Sequence, residues 1–248
     1  PFWHMGEEVL ASLCPDGFRH NQQSLRVLDV LERNGQGLNL TQEVREGILK
    51  HSKTRDSIMS EGWGTASTLE GQIVKIADSI AYLNHDLEDA QRFGVIKPDD
   101  IPADIVSSLG KTSSNRISTM VGDVIHQSWA ARGEGPHPVQ ASSLNKGDLP
   151  VAIAMSDEIL EVTDRLRSFL FTRVYMTRAS NPEEQWARRL LETLYEHFLR
   201  HPEQVPAMYH QLADRPERAV VDYIASMTDQ YAIQVFENIS LPRFARRS

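Results

Sequence analysis

Cysteine is almost missing from this chain. Cys14 stands alone among 248 residues, which excludes an internal disulfide and any paired CxxC metal or redox site, and suits a reducing cytosol. Long hydrophobic runs are missing too. No stretch reaches the ~20 apolar residues that a membrane-spanning helix requires, and the opening PFWHMGEEVL has neither the basic start nor the long apolar segment of a signal peptide. Positive charge is short: 26 Lys and Arg against 34 Asp and Glu give −8, so broad attraction to nucleic acid is not expected of the whole molecule. The basic tail PRFARRS could touch a phosphate or an acidic neighbour, although a frayed terminus is the plainer reading. HExxH and Gly-rich phosphate loops do not occur. Neither a convincing strand pair nor a fixed-period repeat is present.

What remains is an ordinary soluble composition, 40% hydrophobic and 24% charged, in a chain long enough for one large domain or two small ones and expected in the cytoplasm. Apolar residues recur at helical spacing almost throughout. Helices are expected over His4–Cys14, over about Asn21–Arg33 with Leu25, Leu28 and Leu31 inward, and over Thr41–His51 around Val44, Ile48 and Leu49. Ser52 to Ala66, with Gly62 and Gly64 around Trp63, reads as a binding loop. Ser67 with Glu70 reads as a capping box that opens a long helix to Phe93, buried through Ile73, Ile76, Ile80, Leu83 and Leu87. Helices near Ile101–Leu109 and Arg116–Arg132 follow. Gly133 to Pro150 reads as an exposed loop or an internal boundary. Further helices run from Ser156 to Tyr175, from Asn181-Pro182 to about Arg200, near Val205–Leu212, and as one piece from Glu217 to about Asn238. The fold class is all-α: a bundle over 1–132 with a second helical layer over 133–248.

Four groups of residues could do chemistry. Asp78, Tyr82 and Asp86 lie four apart on the long helix, a polar stripe beside an apolar one. Two acids and a phenol there suit a metal ion and a sugar, where a lone Asp would read as a solvated face. Asp78 by itself cannot hold a divalent cation. His4 and Glu7, three apart, give an imidazole with a carboxylate in reach, as acid–base work requires; such pairs are also common on helix surfaces. His20 and Asn21 open a helix, and helix starts favour anions; a polar cap is the plainer reading. Arg45, Lys50 and His51 could hold phosphates, or simply face solvent.

Five segments carry a resemblance. PFWHMGEE is similar to a PFGHxGE segment, GFRHNQQSLRVL to FxHNxQSLR, LNLTQEVREGILKHS to GLNLTxEVREGILKH, ADSIAYLNHDLEDA to ADxIAYxxHDLxDA, and VVDYIASMTDQYAI to DYIxGMTDRYA. In this order they resemble the HD-domain deoxynucleoside triphosphate triphosphohydrolases, the dGTPase family. The resemblance implies an HD-domain helical bundle, a divalent metal (Mg²⁺ or Mn²⁺, or another transition metal), and a homo-oligomer. It implies hydrolysis of a deoxynucleoside triphosphate, with dGTP the expected substrate, at the α-phosphorus to deoxynucleoside and inorganic triphosphate. It makes Asp78 a metal ligand, His4 the histidine beside the attacked phosphorus with Glu7 as its partner, and His20 a histidine facing the α-phosphate. Tyr82 would pack on the sugar and exclude a 2′-hydroxyl, and Asp86 would bind the 3′-hydroxyl. Lys50 is implied as a phosphate contact, and Asn21 joins the substrate-binding residues.

The sequence also departs from the pattern. The family's first histidine and its His-Asp pair are expected upstream of Pro1, and the chain has no initiator methionine. Trp3 stands where glycine is usual, Met5 precedes Gly6, and Ser226 replaces a glycine. Two other readings stay open: a non-catalytic nucleotide-binding or regulatory protein with a degenerate HD site, and an HD phosphohydrolase acting on monophosphates.

Overall fold

The computed structural model describes residues 1–52, 65–128, 153–175 and 182–240, and all but the side chains of Trp3, His4, Tyr175 and Glu183 within them. Its α-helices are α1 (Trp3–Leu13), α2 (His20–Arg26), α3 (Glu32–Gly35), α4 (Gln42–Lys50), α5 (Leu69–Arg92), α6 (Ala103–Leu109), α7 (Ser113–Gln127), α8 (Asp157–Leu170), α9 (Pro182–Arg200), α10 (Ala207–Leu212), α11 (Pro216–Ala225) and α12 (Asp229–Ser240). Single π-helical turns continue α2 over Val27–Leu31 and α8 over Phe171–Tyr175. No strand occurs among the described residues, so the fold is all-α as expected. The expected loops around Trp63 and over Gly133–Pro150, the Asn181 cap and the basic tail lie outside the described residues.

The chain forms two compact units, Pro1–Leu40 with Ala179–Ser248, and Thr41–Arg178. This grouping differs from a division at residue 132, because the N-terminal helices share a core with the C-terminal ones. In the first unit Val9 and Leu10 of α1 bury against Leu190, Leu191, Leu194 and Phe198 of α9 and Val220, Val221 and Ile224 of α11. Each such side chain contributes roughly 1.5–3 kcal/mol by leaving water.

A buried charge ties this unit together. Asp222 of α11 is fully buried. Its carboxylate accepts from Arg26 Nε at 2.7 Å, Gln23 Nε2 at 3.0 Å and Arg218 Nη2 at 2.9 Å. Arg26 also donates to the Leu212 carbonyl at 2.9 Å. Two residues of α2 are thereby fixed to a helix almost 200 positions away. Such a carboxylate is tolerated only because its lone pairs are filled by charged donors.

The C-terminal segment expected as one helix is broken after Ala225. Ser226 turns its hydroxyl onto the Tyr223 carbonyl at 2.7 Å and accepts from Tyr209 OH at 2.9 Å. Thr228 then accepts from the Tyr231 amide at 3.2 Å and starts α12 with Asp229 in its first turn. Two hydroxyls that compete for backbone groups outweigh the continuous apolar period. Gly6 has its own steric reason: a Cβ there would collide with the Pro1 carbonyl oxygen.

In the second unit the core is Ile76, Ile80, Leu83 and Leu87 of α5 with Ile105 and Leu109 of α6, Met120 of α7, and Leu166 and Leu170 of α8. Two expectations about its faces are corrected. Ile73 and Val44 are not inward; they are 49% and 48% exposed. Gly47 and Gly71 let α4 and α5 approach closely: a Cβ on Gly71 would lie 3.4 Å from Gly47 Cα. The helices meet through these bare backbones; Ile73 shares its angle on α5 with buried Ile80 to within about 20°, so its exposure reflects how far along the axis the covering helices reach. The start of α5 is also one residue later than expected: Thr68, not Ser67, caps it, accepting from the Gly71 amide at 3.2 Å.

Ser67 instead donates to Glu46, whose other oxygen takes Lys50. Lys50 also donates to the Thr65 carbonyl at 2.9 Å, so α4 holds the entry to α5. Farther along, buried Arg116 of α7 donates to Asn84 of α5 at 2.9 Å and to the Lys111 carbonyl at 3.1 Å, while Asn84 donates to the Ile80 carbonyl at 2.8 Å. The rotation of α5 is therefore set at both ends.

Two outcomes follow. Asp222→Ala strands two partly buried guanidiniums and is expected to lower stability by roughly 3–5 kcal/mol, read as a fall in the urea midpoint; a change under 1 kcal/mol would refute the hub. The second concerns pH. Hydrogen bonds from Lys50, then Ser67, hold the Glu46 carboxyl below its ordinary 4.5. A folded value below the unfolded one stabilises above the ordinary value and is lost as pH falls through the folded one. Lys50→Met should therefore destabilise by about 1 kcal/mol at pH 7, with the difference from wild type shrinking as pH falls below the ordinary 4.5.

Candidate functional site

In the first unit, α1 and α2 bring Glu7 and His20 together. The His20 ring Nδ1 lies 2.8 Å from Glu7 Oε2, and the His20 amide donates to Glu7 Oε1 at 3.0 Å. One carboxylate thus holds both the ring and the backbone where α2 begins. The expectation paired Glu7 with His4, whose side chain lies outside the described residues; among the described residues both Glu7 oxygens meet His20. His4 lies in the first turn of α1, with its side chain outside the described residues. Asn21, next to His20, is buried. With Nδ1–H on the carboxylate, Nε2 is the nitrogen of His20 that can exchange a proton.

In the second unit, α5 carries the three-residue stripe. Asp78 is exposed, Tyr82 half-buried and Asp86 only 3% exposed. The stripe drifts by about 40° per four residues, which carries it from the open side of α5 toward the buried side. Its ends are ~12 Å apart along the axis, about the length of the phosphate-plus-sugar part of a nucleotide. Lys50, expected on phosphate, uses two of its three donors on Glu46 and Thr65. Glu46 was not singled out from the sequence, although its place four residues before Lys50 is the signal for a helical ion pair.

Mg²⁺ or Mn²⁺ needs several oxygen or nitrogen ligands. Among the described residues no group of three His, Cys, Asp or Glu side chains could hold an ion. Asp78 could supply one ligand at most, so the described residues do not by themselves fit a complete metal site. Also among the described residues, no helix is long and apolar enough to cross a membrane.

Known proteins give the geometry a context. Residues 153–238 match the model of the phosphohydrolase-associated domain. Over 244 residues the chain is 44% identical to a deoxyguanosinetriphosphate triphosphohydrolase-like protein of Caldanaerobacter subterraneus subsp. tengcongensis, covering 98% of this chain and 64% of that one. A protein of the same description from Clostridium perfringens is 38% identical over 245 residues, with 98% and 66% covered. Another from Geobacter sulfurreducens is 34% identical over 270 residues, with 98% and 70% covered. The chain therefore spans about two thirds of the length of these relatives. Identity of this extent over nearly all of the chain, in an all-α fold in which residues 153–238 match the associated domain, shows that it belongs to the family of deoxyguanosinetriphosphate triphosphohydrolase-like proteins.

Proposed function

We propose that this chain is the greater part of a deoxynucleoside triphosphate triphosphohydrolase, with dGTP as the expected substrate. The observation that carries the reading is the α5 stripe, a carboxylate, a phenol and a carboxylate at successive turns, in a chain whose relatives are named for this reaction. Water adds to the α-phosphorus, the bond to the 5′-oxygen breaks, and the leaving oxygen takes a proton. The products are the deoxynucleoside and inorganic triphosphate. Asp86, at the buried end of the stripe, accepts from the 3′-hydroxyl. Tyr82 packs its ring on the deoxyribose and leaves no room for a 2′-oxygen, so a steric clash sets the preference over ribonucleotides. Asp78 is reserved as one ligand of a divalent cation.

His20 is oriented by Glu7 as an acid–base residue should be. Its role in proton handling, with His4, and that of Asn21 in binding rest on the family resemblance. A homo-oligomer and a cytoplasmic location belong to the same proposal.

The test uses the full-length protein with Mn²⁺ or Mg²⁺. dGTP is expected to yield triphosphate and deoxyguanosine in equal amounts by ³¹P NMR and chromatography, and Asp78→Ala is expected to fall to background. Tyr82→Ala should lower the preference for dGTP over GTP by roughly 10-fold or more. Pyrophosphate in place of triphosphate would refute the reaction. Tight nucleotide binding without turnover would favour the non-catalytic alternative.

A further inference from the structure

The C-terminal segment VVDYIASMTDQYAI holds an acid with no part so far in the chemistry. Asp229 stands in the first turn of α12, and its Oδ1 accepts from the Phe2 amide at 2.8 Å, across 227 positions of sequence. Phe2 is the cap of α1 and lies in the left-handed region, at φ 60° and ψ 33°. That conformation is costly for a residue with a Cβ, and it persists where the surroundings over-determine it. Phe2 is held on every side. Its amide is taken by Asp229, its carbonyl accepts from the Gly6 amide at 3.0 Å, and its side chain packs against the core of the first unit. The Pro1 carbonyl lies so close to Gly6 that a Cβ there would collide with it. His4 is the second residue of α1, just past this anchored turn.

Apolar packing alone has no direction, so it leaves the end of a helix some freedom to turn and slide. A hydrogen bond to the residue before the first turn has a direction. It sets where that turn begins and how its residues are aimed. We infer, resting on the role proposed above for His4 in proton handling, that Asp229 is a positioning residue for His4. It acts through the Phe2 amide and the first turn of α1, not by contact with the substrate. Asp222, seven residues earlier, already holds α2, the helix that opens with His20, through Gln23 and Arg26. One short stretch of chain thus anchors both helices that carry the proposed acid–base residues. The competing role for Asp229 is local: a carboxylate in the first turn favours the start of its own helix by its charge. The two roles separate by substitution, because asparagine keeps a carbonyl oxygen for the Phe2 amide and loses the charge.

The experiment measures kcat and KM for triphosphate release from dGTP by the full-length protein with Mn²⁺, for wild type, Asp229→Asn and Asp229→Ala. Asp229→Ala is expected to lower kcat by roughly 10- to 100-fold, the effect of displacing a reacting group by about 1 Å. KM should stay within about three-fold, since no group proposed to bind the deoxyribose is altered. Asp229→Asn should keep kcat within about three-fold of wild type, because the hydrogen bond survives without its charge. If Asp229→Ala does not fold, Asp229→Ser carries the test: its hydroxyl is one bond short of the Phe2 amide, and it is expected to behave as alanine would. Equal loss of kcat in Asp229→Asn and Asp229→Ala, an unchanged kcat in Asp229→Ala, or a rise in KM alone overturns the assignment and leaves the proposed reaction intact. A wild-type protein that releases no triphosphate from dGTP overturns both.

Discussion

The rotational setting of α5 about its own axis is the constraint on which the rest depends. Its apolar side buries Ile76, Ile80, Leu83 and Leu87 in one core, and the Arg116–Asn84 bond locks it from the α7 side. Gly71 against Gly47 fixes how closely α4 can approach. With these three in place, the border between the covered and open sides of the helix falls along Tyr82 and Asp86. A rotation of a few tens of degrees would bring Asp86 into solvent and carry Tyr82 out onto the open flank. The chemistry proposed for this helix is therefore a consequence of its packing.

The first unit is organised by a different force. There the buried Asp222 carboxylate draws donors from α2 and α11, and α2 begins with the imidazole that Glu7 holds. Two segments far apart in sequence, the one with Arg26 and the one with Asp222, become one structural element. This explains why the C-terminal helices share a core with the N-terminal ones, and it gives part of the phosphohydrolase-associated domain a concrete task, that of fixing the helix that carries His20.

The helices were legible in the sequence because their apolar residues keep one period, and the α5 stripe was legible because two acids and a phenol recur every fourth residue beside that period. What was not legible depended on atoms that a period ignores. Ile73 and Val44 are left half exposed, though both fit the pattern of a buried face, because a period does not say how far along a helix its neighbours reach. Hydroxyls at Ser226 and Thr228 broke a helix whose apolar residues run straight through. Thr68 took the cap because Ser67 was drawn to Glu46. Partners at long range, Glu7 with His20 and Arg26 with Asp222, are set by tertiary packing and leave no mark in local spacing. The segment resemblance placed the chain in its family, and the His20 contact of Glu7 came only from the structure.

The most direct test is a crystal structure of the full-length protein with a non-hydrolysable dGTP analogue. The account predicts the deoxyribose against the Tyr82 ring, the 3′-hydroxyl within hydrogen-bond distance of Asp86, and the phosphates directed to the N-terminal end of α5. A nucleotide bound away from α5, or laid along it in the opposite direction, would contradict it.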